Sequence, residues 1–117
     1  MDIEILRSVC SQFPAVTEDI KWENNLCFCI GGKIFCIANL EPPHIFSFKV
    51  TDKEYFELSE SDGFMPAPYL ARAKWVLCTD PKKLNKTELK KYLQQSYEMI
   101  TLKIPKKQRK ELGLDRD

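Results

Sequence analysis

The chain has 117 residues, 44% of them apolar and 30% charged, with a formal net charge of +1. Those values suit one globular domain over residues 1–117 and exclude a polycation. No run approaches the roughly 20 apolar residues of a membrane span, which excludes a bilayer-crossing helix.

Residues 3–13 read as an amphipathic helix, because Ile3, Leu6, Val9/Cys10 and Phe13 recur at helical spacing. Pro14 ends it. Residues 17–22 form an extended segment with Ile20 and Trp22 on one side and Asp19 and Lys21 on the other. Glu23-Asn24-Asn25 is turn chemistry. The strongest structural signal follows. Leu26–Ile30 and Lys33–Ile37 flank Gly31-Gly32, which predicts a tight hairpin. A two-residue turn sets Ile30 against Lys33, Cys29 against Ile34, Phe28 against Phe35 and Cys27 against Cys36. Leu26, Phe28, Ile30, Phe35 and Ile37 then face the core. Cys27, Cys29, Ile34 and Cys36 face the other way.

Ile45–Val50 is a further strand, with Phe46, Phe48 and Val50 inward and Ser47 and Lys49 outward. Thr51 with Glu54 makes a capping box that opens a helix, and Asp62-Gly63 ends it. Phe64–Tyr69 is a proline-stiffened loop and Ala73–Thr79 a strand. Asn85 with Glu88 caps a long helix from Lys86 to about Thr101. Pro105 suits the first turn of a last short helix, which Gly113 stops. The order α-β-β-β-β-α-β-α-α predicts an α+β fold, an antiparallel sheet with helices packed on one face and the other face partly open.

Several pieces taken in order resemble the MmcQ/YjbR family. They are Asp19-Ile20-Lys21-Trp22, Gly32-Lys33-Ile34-Phe35, Phe46-Ser47-Phe48-Lys49 and Pro66-Ala67-Pro68-Tyr69. Lys74-Trp75-Val76, Ser96-Tyr97 and Leu102-Lys103-Ile104-Pro105-Lys106-Lys107 complete the series, which spans about residues 13–112. The resemblance implies a CyaY-like α/β sandwich and DNA binding through a "double-wing" motif. It brings no catalytic residue set and no cofactor.

Charge is distributed unevenly. Residues 1–63 hold 5 basic and 11 acidic side chains, residues 64–117 hold 13 and 6. One face can therefore be basic while the sum stays near zero. The expected nucleic-acid-binding residues are Lys21, Lys33, Lys49, Arg72 and Lys74 on the sheet side, with Lys103, Lys106, Lys107, Arg109 and Lys110 near the C-terminus. Lysine and arginine suit this work because neutralised phosphates release counterions. Trp22 and Trp75 are expected to be mainly buried. Tyr69, Arg72 and Tyr97 form a candidate small-ligand pocket beside the proline loop, the alternative being a structural corner.

Cys27, Cys29 and Cys36 could hold a soft metal or form a labile disulfide, but their spacing is no zinc signature. Service as small apolar residues is the favoured reading. An odd cysteine count and an acidic N-terminus without a signal-peptide layout lead us to expect a cytoplasmic protein. No catalytic or metal-binding motif is visible. The expectation is a monomeric, non-enzymatic DNA-binding module without cofactor. The alternatives are a protein- or small-ligand-interaction module whose basic surface only confers solubility, and, third, an enzyme.

Overall fold

The computed structural model describes residues 3–114. Its elements are α1 (Ile3–Ser11), β1 (Val16–Lys21), β2 (Asn25–Ile30), β3 (Lys33–Asn39), β4 (Phe46–Lys49) and α2 (Asp52–Ser59). They continue with β5 (Phe64–Pro66), β6 (Trp75–Cys78), α3 (Lys86–Thr101) and α4 (Lys106–Glu111). The strands form one antiparallel sheet in the order β1-β2-β3-β4-β6-β5. The α+β fold expected from the sequence is the one found.

Local chemistry accounts for most boundaries. Helix α1 stops at Ser11, two residues short of the predicted end. A residue before proline avoids the helical region, and the last turn tightens through Gln12 N–H to the Val9 carbonyl and Phe13 N–H to the Cys10 carbonyl. Both capping boxes form, Thr51 with Glu54 and Asn85 with Glu88. Strand β5 was expected to be loop. It pairs with β6 at the sheet edge, where a proline lacking N–H is tolerated.

Helix α3 covers β2 to β4, α1 packs against α3 and β1, and α2 lies over β5 and β6. Between the helices and the sheet lie Leu6, Val9, Phe28, Ile30, Phe46, Phe48, Leu89 and Leu93, all fully buried or nearly so. Tyr97 anchors one end of this layer. Its ring sits 5.1 Å from Phe13 and 5.4 Å from Phe35, and its hydroxyl donates to the Pro14 carbonyl at 2.7 Å.

The hairpin register differs from the expected one. Ile30 pairs with Lys33 and Cys29 with Ile34, but Phe28 then pairs with Cys36 and Cys27 with Ile37. Phe35 is the extra residue of a β-bulge. A one-residue slip exchanges faces, so Cys36 turns to the helices and Ile37 to the open side. The β3–β4 pairing ends at Cys36 and Phe48, and Ser96 of α3 bridges the next position. Its hydroxyl accepts from Lys49 N–H at 2.9 Å and donates to the Phe35 carbonyl at 2.6 Å.

The predicted facing of Cys27 and Cys36 is therefore corrected. Cys36 lies in the helix-side core against Cys10, and burial pushes its thiol pKa well up. Cys27 and Cys29 are on the opposite face, and burial raises both. All five cysteines are free and buried. Among the described residues no group of three or more His, Cys, Asp or Glu is placed to hold a metal ion. No helix among them is long and apolar enough to cross a membrane.

Candidate nucleic-acid interface

The sheet face turned away from the helices carries a cleft of about 890 Å³. Ile34 and Ile37 of β3, Ser47 of β4 and Trp75 of β6 are among its lining residues. The bulge puts both isoleucines there. Trp75 lies opposite Lys49 across the β4–β6 pair and is 5% exposed, as expected for a mainly buried tryptophan.

Two segments rim the cleft. One is the β1–β2 turn, where Trp22 has φ 53° and Glu23 φ 68°. The turn closes through Asn24 N–H to the Trp22 carbonyl at 2.8 Å, and Leu40 N–H bonds the Asn24 carbonyl. Trp22 is 67% exposed, which overturns its expected burial. It sits at the turn beyond the end of β1, where no helix covers it.

The other rim is the proline loop. Ala67 N–H bonds the Trp75 carbonyl and Trp75 N–H bonds the Leu70 carbonyl, so both ends of the loop are fastened to one strand residue. A short 3₁₀ turn over Ala71–Ala73 returns the chain, and Lys74 closes it in the left-handed region. Tyr69, with φ 66°, is fully exposed. Neither the Trp22 nor the Tyr69 ring stacks on another aromatic among the described residues.

Lys21, Lys33 and Lys103 line the same cleft, and no carboxylate does. Lys103 reaches it because the turn after α3 is clamped to the hairpin. Gln108 Nε2 donates to the Gly31 carbonyl at 3.2 Å, and a Cβ at Gly31 would lie 2.7 Å from Ile104 Cδ1. Only glycine permits that approach at φ 58°.

The remaining predicted cations lie outside the cleft lining. Lys49 Nζ donates to the Ala73 carbonyl. Burial, then the nearby Lys103, lowers its pKa, with Asp52 of α2 opposing and Lys74 adding to the fall. Lys74 lies 5.0 Å over the Tyr55 ring and 5.4 Å over Phe56, on the α2 side. Arg72 is exposed on the 3₁₀ turn. Lys106, Lys107 and Lys110 are exposed on α4. Arg109 Nη1 donates to the Ile104 carbonyl at 3.0 Å, holding the turn before α4.

The predicted grouping of Tyr69, Arg72 and Tyr97 is not formed. Tyr97 is buried between α3 and α1, with its hydroxyl on Pro14, while Tyr69 stands at the cleft rim. The structural corner described above as the alternative is what Tyr97 builds. Trp22 was missed as a site residue. Its place directly before Glu23-Asn24-Asn25 was the available signal, since a residue at a turn seldom reaches the core.

The family model described as YjbR matches residues 11–99. The chain belongs to the YjbR family. That match takes in both rims and the cleft floor and stops short of Lys103 and α4. Among solved structures, this YjbR chain is similar to the Deinococcus radiodurans protein DR2400, described as a DUF419 domain. The TM-score is 0.86 at 28% identity, over 97% of this chain and 89% of that one. It also resembles in fold a protein from Pseudomonas syringae, with a TM-score of 0.68 at 14% identity, over 85% of this chain and 98% of that one. A comparison with curated proteins finds no match.

Proposed function

We propose that this YjbR protein is a cytoplasmic, monomeric, non-enzymatic module that binds DNA through the open face of its sheet. One observation carries the reading: a cleft with an apolar floor, two exposed aromatic rims, three lysines and no carboxylate in its lining. Lysines at the mouth meet phosphates, and the apolar floor and rings meet bases. Lys106, Lys107 and Lys110, exposed on α4 outside the lining, add positive charge to the segment that follows Lys103.

The test is DNA affinity against salt for the Lys21→Ala/Lys33→Ala/Lys103→Ala variant. Each phosphate contact contributes about 0.7–0.9 to the slope of log K on log salt, so losing three flattens the slope by about 2–3. An unchanged slope refutes the reading. Removing Lys49, Arg72 and Lys74 has a smaller effect, because none of the three lines the cleft.

A second reading has its own support in the cleft volume, about 890 Å³. Small-molecule sites span about 300–1,000 Å³. An interaction module for a small ligand predicts thermal stabilisation by that ligand and no salt-sensitive DNA binding.

A further inference from the structure

Resting on the nucleic-acid reading, we infer that the cleft takes an unpaired strand rather than a duplex, with bases stacked on Trp22 and Tyr69. Three features lead there. First, the two rings are exposed and free of aromatic partners among the described residues. A ring at a cleft rim gains by stacking on a base face, and in a duplex those faces are covered by neighbouring pairs. Second, the cleft is of small-molecule size. It can seat a base or two against Ile34, Ile37 and Trp75, and a double helix cannot enter it.

Third, the charges sit around the apolar floor rather than on a projecting element. Lys21 stands at the end of β2 away from the hairpin turn, while Lys33 and Lys103 both lie at that turn, so the cations flank the cleft at its two ends. That layout follows the backbone of a strand whose bases point inward. A groove-reading protein instead presents a helix or a β-ribbon to the duplex. With no carboxylate in the lining, the match to a polyanion is not opposed. Asp19, on the same face of β1 as Lys21, lies outside the lining.

Trp22 and Trp75 are the chain's only tryptophans, one exposed and one buried, so the site carries its own reporter. The experiment titrates the whole protein with a mixed-sequence 12-nucleotide single strand, as DNA and as RNA, and with the corresponding duplexes. Anisotropy reads affinity and tryptophan emission reads stacking. The single strand is expected to bind at least about tenfold tighter than the duplex and to quench emission. Trp22→Ala and Tyr69→Ala each weaken single-strand binding by about 5- to 150-fold, the equivalent of about 1–3 kcal/mol per stacked base. Trp22→Phe keeps most of the affinity and loses most of the quenching. Equal or tighter duplex binding, or single-strand affinity unchanged in both alanine variants, overturns the unpaired-strand inference and leaves DNA binding standing. Absence of salt-sensitive binding to any of the four probes overturns both. Preference between DNA and RNA identifies the strand's source.

Discussion

Ser96→Ala tests how the sheet is closed beneath the cleft. The Ser96 side chain is fully buried and its oxygen serves two backbone groups, the N–H of Lys49 and the carbonyl of Phe35. These would pair with each other across β3 and β4 were Phe35 not bulged out of register. Alanine leaves both without a partner. A stranded buried group costs about 1–3 kcal/mol. Phe35 is fully buried and Lys49 half-buried, so the middle of the range for one and the lower end for the other give about 3 kcal/mol. The whole chain holds roughly 6–18 kcal/mol by its length. At about 4 °C per kcal/mol, Tm falls by about 12 °C. Urea unfolding should show a lower midpoint at unchanged m-value, and amide exchange should quicken at Lys49. Ser11→Ala is the control, because that hydroxyl bonds the Ser8 carbonyl on an exposed helix end. A loss under about 0.5 kcal/mol in Ser96→Ala, the level of ordinary surface changes, with Lys49 still protected, would refute the bridging role.

Gly31→Ala is expected to destabilise by about 2–4 kcal/mol, since the added Cβ meets buried Ile104 at 2.7 Å with φ at 58°. Gly32→Ala, with φ 79° and no atom within 4 Å, should lose only about 1 kcal/mol; equal losses by denaturant melting would break the argument for a clamped turn. Burial raises the Cys78 thiol from 9.0 to about 11. Between those values the unfolded chain gives up its proton first, so wild-type stability should fall relative to Cys78→Ala from about pH 9 to pH 11 and match its trend below. Parallel pH profiles of the two proteins would contradict that shift.

The fold was largely legible because its signals are local. Gly31-Gly32 marks the hairpin, Thr51 with Glu54 and Asn85 with Glu88 mark two helix starts, and Phe46 with Phe48 marks an inward face. The bulge was not legible, for a physical reason. Ile34, Phe35, Cys36 and Ile37 are all apolar, so alternation cannot say which residue is extra. The decision is made from a distance: Ser96 grips the Phe35 carbonyl, and Phe13 and Tyr97 hold its ring. Those partners lie in α3 and just beyond α1. β5 escaped for a related reason, since Pro66 argues against a strand until its place at the sheet edge is known.

The site was legible as residue types and not as a grouping. Charge counting pointed to the C-terminal half, which supplies most of the lysines. Yet the cleft draws Lys21 and Lys33 from the net-acidic half and Lys103 from the basic one. What gathers the three is backbone geometry: β1 places Lys21 on the open face, and the Gly31–Ile104 approach brings the turn after α3 to the hairpin. The aromatics follow the same logic. Trp75 sits in mid-sheet and is buried, whereas Trp22 falls at a left-handed turn and is exposed. Two tryptophans of equal hydrophobicity thus take opposite roles, and the turn rather than the side chain decides which is free to meet a ligand.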